Sequence, residues 1–115
     1  MVKHPNEFRQ DIRTAPRGGQ GTAYIYHMLE PEQYFNKGRM MAKAVLSLGS
    51  VMGYHVHENE MEMIYILSGQ AKVNDNGVER LLVAGDMLYT GDGQGHSIEA
   101  VGDTDLSYLA VIISQ

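Results

Sequence analysis

The most restrictive feature of this chain is its punctuation. From Thr22 onward, short runs rich in Val, Ile, Leu and Tyr are broken every few residues by Gly, Asn or Asp. Runs this short, bounded by turn formers, read as strands rather than amphipathic helices. The candidates are residues 22–28, 39–48, 52–57, 62–68, 70–74, 78–83, 87–90, 96–101 and 105–113. Asp75-Asn76-Gly77 separates two of them, and Asn-Gly accepts the positive φ angles of a type I′ turn, which makes those two strands antiparallel neighbours. The only helical prospect is a turn or two along Glu30-Pro31-Glu32-Gln33-Tyr34-Phe35. Residues 1–20, with Arg13, Pro16, Arg17, Gly18 and Gly19, read as an irregular N-terminal arm, and residues 21–115 as a single all-β domain of about eight strands.

Size and charge exclude several functions. At 115 residues there is room for one core and no added nucleic-acid-reading module. No apolar run approaches the ~18 residues of a membrane-spanning helix, and Met1-Val2-Lys3-His4-Pro5-Asn6-Glu7 has no apolar signal core. With no cysteine, disulfides and thiolate ligands are ruled out, and the cytoplasm is the default location. A formal charge of -5 argues against nucleic acid, whose phosphates require a clustered basic face. The expected partner is a small molecule.

The residues able to do chemistry on one are few. His55-Val56-His57, Glu62 and His96 together offer three imidazoles and a carboxylate, the ligand chemistry of a first-row transition metal. Side chains at i and i+2 of a strand point to the same face, about 7 Å apart, so His55 and His57 can converge on one ion. Glu58-Asn59-Glu60 interrupts the apolar pattern as a tight connection, from which Glu62 enters on the next strand. His96 follows Gly91-Asp92-Gly93-Gln94-Gly95, where the backbone can turn sharply before re-entering the sheet. Mn, Fe, Ni, Zn and Cu all suit this donor set.

As patterns, these blocks resemble the cupin superfamily. Its first motif, G-x5-H-x-H-x(3,4)-E-x6-G, is met at Gly49, His55, His57, Glu62 and Gly69. The second, G-x5-P-x-G-x2-H-x3-N, is met at Gly85, Gly93 and His96, with Gly91 in place of proline and Ala100 in place of asparagine. Neither departure removes a metal ligand of the family. The resemblance covers residues 49–100 and implies a small antiparallel β-barrel, the double-stranded β-helix or jelly roll. It implies one divalent transition metal per chain, manganese among the candidates, held by His55, His57, Glu62 and His96. The chain looks like small single-domain bacterial cupins described as oxalate-binding or oxalate-decarboxylase-like, which implies a small acid with two neighbouring oxygens as ligand and decarboxylase or oxygenase chemistry as the activity to test. A sugar or uronate isomerase, and a module that binds a metabolite without turnover, are the alternatives.

Strand parity extends the reading. If Glu62 faces the cavity, Ile64 and Ile66 line it, while Met63, Tyr65 and Leu67 face outward. The last strand repeats this, with Leu106, Tyr108, Ala110 and Ile112 on one face and Leu109, Val111 and Ile113 on the other. Two apolar faces need two covers; a homodimer is expected, the alternative being a monomer covered by its N-terminal arm. The methionines read as packing. Arg39 and Lys43 read as a solvated face, unless that face borders the cavity, where Arg39 would bind a carboxylate bidentately. Glu60 and Glu99 are nominal acid–base candidates expected to face solvent, and His4 and His27 are assigned no chemistry. Tyr65, Tyr89 and Tyr108 stay unassigned.

Overall fold

A computed structural model describes residues 1–115 as ten strands in two antiparallel sheets. The strands are β1 (Arg9–Thr14), β2 (Thr22–His27), β3 (Gly38–Leu46), β4 (Val51–Val56), β5 (Glu60–Ser68), β6 (Gln70–Asp75), β7 (Val78–Val83), β8 (Met87–Thr90), β9 (Gly95–Val101) and β10 (Leu106–Ser114). One sheet runs β1-β2-β3-β10-β5-β8 and the other β4-β9-β6-β7. This is the jelly roll, and every strand run expected from the sequence is present. No helix is long and apolar enough to cross a membrane.

The hairpin signal holds in detail. Asp75 pairs with Val78 across Asn76 and Gly77, whose φ angles are 48° and 100°, both in the left-handed region that a type I′ turn demands. The helical prospect is a 3-10 turn at Pro31–Tyr34. The irregular arm is corrected: residues 9–14 form β1, paired along its whole length from Arg9↔His27 to Thr14↔Thr22. Arg9-Gln10-Asp11-Ile12-Arg13-Thr14 carries one apolar residue, so no alternation announces it; backbone pairing to β2 makes the strand. Ile12 is 62% exposed.

Parity is as expected from the sequence. Met40, Ala42, Ala44 and Leu46 of β3, Ile64 and Ile66 of β5, and Leu106, Tyr108, Ala110 and Ile112 of β10 all point inward and are buried. They meet Met52, Ala71, Val73, Ile98 and Ala100 from the smaller sheet. Each large aliphatic side chain so buried contributes about 1.5–3 kcal/mol. Within this apolar interior lies a polar island of His57, Glu62, Thr90 and His96, all buried. Placing four polar side chains there is costly unless each is satisfied, which makes it the region where function is to be sought. On the outer face of the larger sheet, Tyr65, Leu67, Met87 and Tyr89 are exposed. The arm does not cover them, because β1 lies at the opposite edge of that sheet.

Candidate metal centre

Four side chains from both sheets converge. His55 lies on β4 and is the direct cross-strand partner of His96 on β9. His57 sits just past the end of β4, held there because its N–H donates to the Gln94 carbonyl at 2.9 Å and its own carbonyl accepts from Gly93 N–H at 2.7 Å. The glycine-rich run thus clamps His57 and delivers His96. Glu62 enters from β5, opposite Thr90 of β8. The imidazole centroids form a near-equilateral triangle with sides of 4.7, 4.9 and 5.0 Å. One potential ligand atom from each of the four residues lies within 4.8 Å of all the others.

The outward-facing ring nitrogens are all engaged. His55 Nδ1 lies 2.7 Å from the Gly53 carbonyl and His57 Nδ1 lies 2.5 Å from Glu60 Oε2. Both partners can only accept, so both Nδ1 atoms donate, and in the neutral rings the Nε2 lone pairs are left facing inward. His96 Nδ1 is 2.6 Å from the Thr90 hydroxyl, which permits the same tautomer. Partners of this kind fix ring orientation and tautomer in metal-binding histidines. The electrostatics fit: burial lowers the His55 pKa to about 4, leaving the ring neutral near pH 7. Burial pushes Glu62 up, but His57 and His96 outweigh it and hold its carboxyl down at about 2. The Glu62 carboxylate, helped by Glu60, raises His57.

One contact is decisive for the chemistry. His57 Nε2 is buried, makes no hydrogen bond, and yet sits 2.8 Å from Glu62 Oε1; His96 Nε2 is 3.1 Å from the same oxygen. In the neutral tautomer set by Glu60 the two atoms are both acceptors and repel, and the raised His57 pKa shows the carboxylate drawing a cation, here a proton, to that spot. A cation between them removes the repulsion, and ligands about 2.1 Å from a metal stand about 3 Å apart when adjacent in its shell. The donor set and its spacing therefore suit one metal ion.

A family model described as Cupin domain matches residues 43–112. The chain is a cupin. Over 113 residues, 98% of this cupin and 93% of the relative, it is 42% identical to an oxalate-binding protein of Thermotoga maritima. The crystal structure of a predicted oxalate decarboxylase from the same organism superposes with a TM-score of 0.95, at 42% identity and with both chains covered completely. An oxalate decarboxylase of Bacillus subtilis is 27% identical over 93% of this chain, which spans 33% of that protein's length.

Around the four residues this cupin builds a cavity of about 30 Å³, lined among others by Arg13, Arg17, Arg39, Met52, Ile98 and Tyr108. Two of these, Arg39 and Tyr108, together with Glu60 beside the cavity, correct or complete the sequence reading. Glu60 does not face solvent: it receives His57 Nδ1–H and a bidentate Arg39 guanidinium at 2.9 and 2.7 Å. Arg39 draws the Glu60 carboxyl down to about 2 against the effect of burial. Arg39 is exposed yet borders the cavity, as the second of its two readings had it, and its fork is occupied by Glu60. Tyr108, 2% exposed, lines the cavity, and burial raises its pKa, so the phenol stays protonated. Tyr65 and Tyr89 are on the outer face. Glu99 is half-buried on β9 outside the cavity lining, and His27 is a buried packing residue whose Nε2 meets Asp11 at 2.8 Å.

Proposed function

We propose that His55, His57, Glu62 and His96 hold one divalent transition metal and that the cavity beside it binds a small organic acid through two neighbouring oxygens. The convergence of the four donors, one ligand atom from each within 4.8 Å of all the others, carries this reading. When bound, the metal supplies Lewis acidity and open coordination positions for the acid. The chain's own residues do the rest. Gly53, Glu60 and Thr90 hold the three rings in register, and Met40, Met52, Ala110 and Ile112 line the walls and exclude water. The Tyr108 phenol is held protonated as a donor.

The three arginines that line the cavity favour an anionic acid over a neutral sugar. The similarity to an oxalate-binding protein supports the same ligand class. Binding without turnover is the better supported form, because Glu62 is the sole carboxylate lining the cavity. Decarboxylation is the second reading, and it assigns Tyr108 as proton donor. We further propose a cytoplasmic homodimer joined through the outer face of the larger sheet, where Tyr65, Leu67, Met87 and Tyr89 are exposed.

Elemental analysis of protein purified without chelator and offered Mn, Fe, Ni, Zn and Cu in turn is expected to find about one equivalent of at least one metal per chain, and several-fold less in His96→Ala. Wild-type protein that retains none of these metals ends the proposal. Formate released from oxalate by wild-type protein, and lost in Tyr108→Phe, would select decarboxylation over binding alone.

A further inference from the structure

Acidic residues outnumber basic ones in this chain, 14 to 9, yet three of the arginines gather at one cavity. Arg39 is neutralised by Glu60. Arg13 is paired only loosely and Arg17 not at all. Arg13 reaches its nearest carboxylate, Asp11, only at 3.8 Å, and that carboxylate is already engaged by His27 at 2.8 Å and Arg9 at 3.2 Å. Arg17 takes part in none of the chain's salt bridges, which occupy Arg9, Arg13, Arg39, Lys72 and Arg80. Both side chains line the cavity that holds the four candidate ligands.

The backbone that presents Arg17 is strained and held. Ala15 and Arg17 have φ angles of 48° and 53°, in the left-handed region where a residue with a Cβ costs free energy. The turn persists because it is pressed against β4. A Cβ on Gly53 would stand 2.2 Å from the Arg17 carbonyl, and one on Gly19 would stand 1.8 Å from the Val51 carbonyl. Gly53 is also the residue whose carbonyl receives the His55 ring proton. One glycine therefore fixes both the candidate ligand His55 and the turn bearing Arg17.

We propose that Arg13 and Arg17 form an anion subsite facing the metal centre, which takes the charge of a second carboxylate and makes the pocket selective for small dianions over monoanions. The inference rests on the proposed metal and acid site and names its selectivity. Charge supports it: a divalent ion with Glu62 would leave one net positive charge, the Arg39–Glu60 pair adds none, Arg17 adds a full charge, and Arg13 adds one that Asp11 offsets only from 3.8 Å. A dianion is the smallest ligand to use both halves.

The test is calorimetric titration of metal-loaded protein with oxalate and with glyoxylate, which lacks the second negative charge, in wild type, Arg13→Gln, Arg17→Gln, the double variant and Arg17→Lys, each checked for metal content and melting temperature. Wild type is expected to prefer oxalate. Each Gln variant is expected to weaken oxalate about 10- to 100-fold while changing glyoxylate much less, with metal content unchanged and Arg17→Lys retaining part of the preference. Equal affinity of wild type for the two acids, or a double variant that keeps the wild-type preference at full metal content, overturns the subsite and leaves the acid site standing. Metal-loaded wild type that binds neither acid overturns both, and wild type that takes no metal overturns the centre itself.

Discussion

Glu60 shows how much of a metal centre lies outside its ligands. Its carboxylate joins His57 Nδ1 to the Arg39 guanidinium, so one residue sets the direction of a ring and ties that ring to the cavity mouth. Because the carboxylate is acceptor-only, His57 donates from Nδ1, and the neutral ring then keeps its Nε2 lone pair for the interior. Glu60→Gln preserves shape but can present an amide N–H to the ring and weakens the Arg39 contact. Partners of this class are worth about 10- to 100-fold in metal affinity. That loss is the expected outcome in competition with a chromophoric chelator, with the melting temperature of metal-free protein changed far less; unchanged affinity would confine Glu60 to packing. The sequence did not reveal this role. Glu60 sits among Glu58, Asn59 and Met61 in what reads as a polar connection, and the return of the chain from β4 into β5 is what brings its carboxylate back to His57.

At the level of elements, legibility follows periodicity. Glu62, Ile64 and Ile66 were placeable because β5 is covered on one face and alternation decides which side chains turn inward. Asn76-Gly77 was placeable because the turn's φ angles admit few residues. β1 was not, since an edge strand with one apolar side chain owes its existence to hydrogen bonds with β2, a partner property that leaves no mark on its own residues. Arg13 and Arg17 were missed for the same reason: their approach to the cavity depends on where that edge strand and the turn after it are held. Gly53 does much of the holding. Gly53→Ala must displace the Arg17 carbonyl or β4, at an expected cost of about 1–3 kcal/mol from overpacking. A denaturant midpoint unchanged from wild type would mean that the turn is free to move aside.

For the whole molecule, the two sheets differ in what they leave outside. The interior faces close on each other, but the larger sheet also turns Tyr65, Leu67, Met87 and Tyr89 to the exterior, between 37% and 56% exposed. A second copy is the expected cover, because the N-terminal strand is committed to the far edge of that sheet. Leu67→Glu combined with Tyr89→Glu is expected to halve the mass measured by light scattering after size exclusion while leaving the circular dichroism of the fold intact. A wild-type protein already running as a monomer would contradict the dimer.

The four converging donors are divided between the sheets: His55, His57 and His96 belong to the smaller one or its border, and Glu62 to the larger. An ion seated among them is thus a rivet through the wall of the roll as well as a place for a ligand to land. The bonds that would make this protein useful are the same ones that would fasten its two halves.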